Sequence, residues 1–257
     1  MLKASESYVR KLVSEGMRVD NRQFDQYRPI SVEKGVIQTA EGSARVIMGN
    51  THILVGVKMS VGEPFPDAPN EGVLIVNAEL SPIASPTFES GPPGEDSIEM
   101  ARVIDRGIRE SNCIDMESLC IKEGEEVWMV NVDIHVIDFD GNIIDAGSIG
   151  AMAALMDARI PKYEDKKIVA GEYSGKIKLK DTIIEVTTVK IGDKLLLDTT
   201  VEEESALDAR LTLAINQNND ICAAQKGGNG YFTKAEIEKA IDLSILKSNE
   251  IRNIIKG

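Results

Sequence analysis

Three arginines, Arg102, Arg106 and Arg109, recur at i, i+4 and i+7 within the segment Ser97–Ser111. At about 100° per residue this spacing puts all three on one stripe of a helix. Met100, Val103, Ile104, Gly107 and Ile108 then gather on the opposite side. Such a helix buries one face and presents three guanidinium forks on the other, a geometry that grips phosphate oxygens bidentately. Glu99, Asp105 and Glu110 flank the stripe, however, and Asp105 with Arg109 or Arg106 with Glu110 stand at helical salt-bridge spacing. A self-paired, solvated face explains the same residues, and spacing does not decide between the two.

A second group is acidic: Glu202, Glu203 and Glu204, with Asp198 and Asp208 close by in the chain. Clustered carboxylates can hold a divalent cation or act as general acid and base. A hydrophilic turn between strands accounts for them equally simply. The run Gly227-Gly228-Asn229-Gly230 could cradle an anion or merely close a tight turn. The chain contains no GxSxG nucleophile elbow and no P-loop. Its two histidines, His52 and His135, lie in apolar, strand-like stretches and read as strand-face residues. Cys113, Cys120 and Cys222 are odd in number and unpaired in spacing, so they read as reduced thiols rather than a disulfide frame or zinc site. Neither a metal nor a cofactor is expected.

The elements that must position these groups follow from periodicity. A first helix is expected over Ser5–Glu15, with Ser5 as N-cap, Tyr8, Leu12 and Val13 as its apolar stripe, and Gly16 as its stop. Strand chemistry begins at Ile30 and continues through SARVIMGNTHILVGVKM, which breaks at the hairpin dipeptide Gly49-Asn50. GVLIVNAEL and EVWMVNVDIHVID are further strands, and the Pro- and Gly-rich stretch SPTFESGPPGED is loop. DAGSIGAMAALMDARI reads as a helix of small and apolar residues, suited to tight packing between layers. The charged segment Pro161–Lys167 is the expected linker. Beyond it strands recur and a helix over Lys234–Ile255 closes the chain. Strands followed by a long helix, twice over, imply two related α+β units.

Composition sets the outer limits. The chain has 257 residues, 42% of them hydrophobic, enough for a substantial core. No apolar run approaches the roughly 20 residues of a membrane span, and the charged start lacks the apolar stretch of a signal peptide, so a cytoplasmic protein without membrane contact is expected. The formal net charge of -13 repels polyanions over the surface as a whole. Nucleic acid would have to meet a local basic patch, completed by another chain.

Several blocks together resemble one family. DFDGNIIDAGSIGAMAAL is similar to the strand, Asp-Gly turn and helix of the RNase PH superfamily. ARVIDRGIRES resembles its arginine helix, and LLLDTTVEEESALDARLTL followed by AAQKGGNG resembles its second-domain strands and Gly-rich turn. The likeness runs from about Met1 to Ile255. It implies an α+β fold of two RNase-PH-type domains (the ribosomal protein S5 domain 2-like fold), here 1–162 and 163–257, assembled into a hexameric ring. Active members shorten RNA from its 3′ end with inorganic phosphate as nucleophile. This chain departs from them at the reacting groups. Where active members carry a Thr-Arg pair that holds phosphate, Ile143 and Ile144 stand. Where they carry two aspartates, this chain has Glu204 and Arg210. Branched hydrocarbons donate no hydrogen bond to an anion, and an arginine neither accepts a proton nor binds a metal. The resemblance therefore implies no catalytic residue. It implies a non-catalytic, RNA-positioning exosome subunit that pairs with a catalytic RNase-PH-like subunit and works with RNA-binding cap subunits on single-stranded RNA. It also turns the reading of Arg102, Arg106 and Arg109 toward RNA. An autonomous phosphate-dependent exoribonuclease using Asp198, Glu204 and Asp208 is the alternative.

Overall fold

The computed structural model describes residues 5–256. Helix α1 (Glu6–Ser14) starts at Ser5, whose hydroxyl accepts from the Tyr8 amide at 3.4 Å. Gly16, at φ +82°, ends the segment in a conformation that suits glycine. The buried stripe is Val9 and Val13, which pack on Val189, Ile191 and Leu196; Tyr8, expected in that stripe, is half exposed. The helix is turned so that small branched residues meet the sheet and the phenol keeps its hydroxyl in water.

Alternating apolar residues build the first sheet from β1 (Ile30–Lys34), β2 (Gly42–Met48), β3 (Thr51–Gly62) and β4 (Val73–Leu80). After α2 (Glu95–Glu110) come the short β5 (Cys120–Lys122) and the long β6 (Glu126–Asp138). The order is β1-β2-β3-β6-β4, with β5 paired to β6. Every pairing is antiparallel except β4 with β6. Along β6, Val130, Val132, Ile134 and Val136 point into the core while Asn131, Asp133 and His135 take the other face, the two-residue period of a half-buried strand. Gly49, at φ +58°, makes the expected hairpin turn between β2 and β3.

Helix α3 (Ile143–Asp157) is buried on all sides from Ile144 to Leu155, as befits a helix enclosed by other layers. Its small residues permit close approach. A Cβ on Gly147 would stand 2.4 Å from the Met100 methyl of α2, and one on Gly150 would stand 2.7 Å from Val55 of β3.

The segment expected as a linker is a hairpin instead, β7 (Arg159–Glu164) with β8 (Lys167–Lys176). Asp165 and Lys166 both adopt positive φ, 50° and 61°, the signature of a two-residue hairpin turn. Pro161 sits where the register shifts, a position that spares the ladder a missing donor. Most of β8 is exposed on both faces, so it carries no apolar alternation to betray a strand.

The second sheet takes β9 (Ile184–Ile191), β10 (Lys194–Leu197), β11 (Ala209–Ile215) and β12 (Ile221–Gly227) in the antiparallel order β10-β9-β11-β12. A one-turn helix α4 (Val201–Glu204) precedes β11, and α5 (Lys234–Lys256) follows β12. Helix α3 touches β2, β3 and β9, α2 touches β4 and β12, and α5 touches β9, β11 and β1. Helices α2 and α3 thus lie between the two sheets; α1 packs on the same face of the second sheet, at Val189 and Ile191, and α5 takes its other face, where Lys190 meets Glu236. The α+β architecture is as expected. Among the described residues no helix is long and apolar enough to cross a membrane.

Candidate functional site

The turn after β6 is the organising feature. Gly141 (φ +82°) and Asn142 (φ 52°) both take left-handed conformations, which asparagine tolerates by bonding locally. The Asn142 amide nitrogen donates to Asp145 Oδ2 at 3.1 Å and to Asp198 Oδ1 at 3.0 Å. Its main-chain N–H, at the N-terminus of α3, donates to Glu204 Oε1 at 2.7 Å. Ile143 and Ile144 follow directly and line a cavity of about 140 Å3 together with Glu99, Met100, Glu204 and Arg210. Inside it Arg210 Nη2 pairs with Glu99 Oε2 at 2.5 Å. Burial raises the Glu204 carboxyl to about 7, against the opposing pull of the Asn142 N–H and Arg210. Ile143, Ile144, Glu204 and Arg210, singled out separately along the chain, therefore meet in one place.

The remaining carboxylates do not join them. Asp198 is fully buried and accepts from the main-chain N, Nε and Nη2 of Arg28 and from Nη1 of Arg22. Burial pushes its carboxyl up, but the Arg28 bonds and charge bring it below the usual range. Asp208 is held by Arg10 Nη2 at 3.0 Å and the Gly192 N–H at 2.6 Å, and the Arg10 bond lowers its carboxyl. Glu203 is buried against Arg18, whose Nη2 lies 2.6 Å from Glu203 Oε2. Arg18 also donates to the carbonyls of Gln23, Leu197 and Asp198, and Glu203 completes a capping box with Thr200. Of the acidic group only Glu204 opens on the cavity. Arg18, Arg22 and Arg28, which fasten the other carboxylates, were not foreseen; the one trace they leave in the sequence is a cluster of arginines in a stretch without apolar period.

The outer face of α2 contrasts with this. Met100, Val103, Ile104, Gly107 and Ile108 are buried, as the helical period requires. Arg102 is exposed and, among the described residues, has neither a carboxylate nor a hydrogen-bond partner within reach. Arg106 is exposed and donates to Gln225 Oε1 of β12 at 3.0 Å; the Glu110 pair open to it by spacing does not form. Arg109 is tied to Asp105 at 2.6 Å and to the Leu74 carbonyl at 3.0 Å. The stripe is therefore split: Arg102 is open, Arg106 is held only by a neutral amide, and Arg109 is paired with a carboxylate.

The other candidates resolve into structure. Gly228 and Gly230 pack against the Asp208 carbonyl, so that a Cβ at either would come within 2.8 Å of it; this is a closed turn rather than an anion cradle. His52 lies on β3, where burial lowers its pKa. His135 faces Glu79 at 3.2 Å on the sheet surface. Neither lines the cavity beside α3.

A family model described as "3' exoribonuclease family, domain 1" (RNase_PH) matches residues 26–161, and its "domain 2" counterpart matches residues 181–245. The chain belongs to the RNase PH family. Among its relatives, the "Exosome complex component Rrp42" of Methanopyrus kandleri is 49% identical over 95% of this chain and 93% of its own. The protein of the same name from Methanocella arvoryzae is 50% identical over 97% and 95%. A solved structure described as the Archaeoglobus fulgidus exosome with RNA bound to the active site superposes with a TM-score of 0.91 at 44% identity, covering 96% of each chain. A structure described as an archaeal exosome core gives 0.88 at 40% identity, over 98% of this chain and 96% of that one. Two RNase-PH-type domains are the architecture of this family member.

Proposed function

We propose that this RNase PH family member is the non-catalytic, RNA-positioning subunit of an archaeal exosome ring. In that ring a catalytic RNase-PH-like partner shortens single-stranded RNA from its 3′ end by phosphorolysis. The observation that carries the reading is the Glu204 carboxylate on the Asn142 N–H, at 2.7 Å. A helix N-terminus is a ready anion site, and here the chain's own carboxylate takes it. Ile143 and Ile144 add no donors, and Arg210, among the described residues the one cation lining the cavity, is committed to Glu99. Inorganic phosphate would meet an occupied donor, hydrocarbon and a neutralised guanidinium.

RNA is held instead at α2, by Arg102 and Arg106, with Arg109 contributing less. Their forks supply the local basic patch that a chain of net charge -13 needs to approach a polyanion. The rest of the RNA path belongs to the catalytic subunit and to RNA-binding cap subunits above the ring. The site of action is the cytoplasm. The test is a phosphorolysis assay on the isolated chain, on the catalytic partner and on their mixture, scored by nucleoside diphosphate release. The chain alone is expected to be inert and the mixture active. Robust release by the isolated chain, abolished in Glu204→Gln, overturns the proposal.

A further inference from the structure

The first sheet ends in β4, which among the described residues pairs only with β6. Its free edge carries none of the usual protections against strand addition. Across VLIVNAEL there is no proline, no lysine and no register shift, and Glu79 is the single charge. An apolar, regular edge of this kind is a template for another strand. Apart from the sheet ladder, the one partner of the β4 main chain among the described residues is Arg109, on the Leu74 carbonyl. The stretch Asn77–Leu80 therefore faces outward unpaired.

What it faces is a groove. Asn77–Leu80 form one wall, the loop from Thr87 to Gly94 with the start of α2 forms the other, and the space between them is about 850 Å3. Five carboxylates line it: Glu79, Glu89, Glu95, Asp96 and Asp133. Among the described residues, none of Glu89, Glu95, Asp96 and Asp133 has a lysine or arginine within salt-bridge distance. Asp133 accepts only from Asn77 Nδ2, at 3.1 Å. His135 is the sole basic side chain in the lining, and it already faces Glu79. Like charges gathered in a concave, partly desolvated space repel one another, and a cationic occupant relieves that repulsion.

We propose that this groove docks an extended, lysine- or arginine-bearing segment of another protein, taken up as an added strand on β4. The pairing register sharpens the chemistry. Asn77 stands beside Asp133 and Glu79 beside His135 on the outer face of the sheet, while Ala78 points inward. A strand laid on β4 alternates its side chains in the same way. Its basic residues therefore fall at every second position, beside Asn77 and Glu79 with Asp133 one strand further in, and its intervening residues are small or apolar. RNA is not the occupant, because its phosphates carry the wrong sign for all five acids.

The experiment uses the full chain and a fluorescent peptide alternating lysine and valine, at about 0.1 M salt, where the screening length is about 10 Å. Three further probes run beside it: the same peptide N-methylated at alternate main-chain nitrogens, a glutamate–valine peptide, and oligouridylate. The lysine–valine peptide is expected to bind and to slow hydrogen exchange of amides within Asn77–Leu80. Glu79→Lys with Asp133→Lys should weaken it about tenfold, since charge complementarity dominates such an encounter. The same reversal at Glu164 and Glu238, exposed acids elsewhere on the surface, should leave binding within about twofold, because salt screens distant charges. The N-methylated and glutamate peptides should not bind. Because these peptide arms use the unaltered chain, they test the proposal even where a variant fails to fold. Equal affinity for the N-methylated peptide overturns the proposal, as does equal weakening by the distant pair. Protection of Asn77–Leu80 by oligouridylate also overturns it.

Discussion

The cavity at the N-terminus of α3 and the outer face of α2 lie one helical turn apart and treat their charges in opposite ways. Around the cavity four charged groups have partners inside the chain: Glu204 on the Asn142 N–H, Arg210 on Glu99, Asp198 on Arg28 and Arg22, Glu203 on Arg18. On α2, Arg102 and Arg106 are left without ion partners. A group satisfied within the fold supports the fold; a charge left open at the surface is available to something else. The same family architecture can thus hold stability in one place and recognition in another.

That comparison breaks first at Glu203. Removing one partner of a buried ion pair strands the other charge in a dry site, which costs about 3–5 kcal/mol. Glu203→Ala should therefore lower unfolding stability by that amount, or prevent folding, as measured by urea denaturation. Arg102→Glu, at an exposed position, should change stability by no more than about 0.5 kcal/mol. If the two substitutions destabilise alike, the division between the regions is wrong. Arg102→Glu with Arg106→Glu should instead remove RNA affinity in the assembled ring and leave the ring intact by mass measurement. Losing two phosphate contacts should also flatten the salt dependence of binding by about 1.4 in log–log slope, at roughly 0.7 per contact for single strands. Unaltered affinity and turnover would leave α2 a scaffold only.

The two regions also differ in how far they could be read from residues alone. The α2 stripe was legible because a helix projects i, i+4 and i+7 together whatever lies around it, and the burial of Met100, Ile104 and Ile108 follows the same rule. What spacing could not say is which arginine is free. That depends on Leu74 and Gln225, which reach Arg109 and Arg106 from strands far away in the chain. The cavity was legible only as a set of substitutions against a family pattern. Nothing local announces that Glu204 would cross to the Asn142 N–H, 62 residues away. The β7–β8 hairpin was missed for a simpler reason. A strand exposed on both faces has no apolar alternation, and its lysines imitate a linker.

A smaller effect tests the pH behaviour of the packed side. Asp145 and Glu185 are both buried, and each keeps one oxygen without a hydrogen-bond partner. Burial, and then the charge of Asp145, raises Glu185 to about 8. The folded state therefore keeps a proton that the unfolded chain releases above about 4.5. Stability conferred by that proton is complete below the unfolded value and declines as pH rises toward 8, by up to about 1.4 kcal/mol per pH unit. Glu185→Gln should flatten the decline between about pH 5 and 8, read from urea midpoints across that range. An unchanged pH profile would show that the buried pair does not hold the proton.

The smallest effect is the most discriminating, because it concerns an α2 arginine that behaves like a cavity residue. Arg109 bonds Asp105 through Nε and Nη2 and the Leu74 carbonyl through Nη2. To reach a phosphate it must release a carboxylate that lies on its own helix and keeps the local charge balanced. Arg109→Ala should accordingly cost about 0.3–0.5 kcal/mol in stability, the worth of an exposed helical ion pair, and weaken RNA binding by less than twofold. Arg102→Ala should show the reverse balance, with stability unmoved and RNA affinity clearly reduced. If Arg109→Ala weakens RNA binding as much as Arg102→Ala does, internal pairing is not what separates a structural guanidinium from a recognising one on this helix.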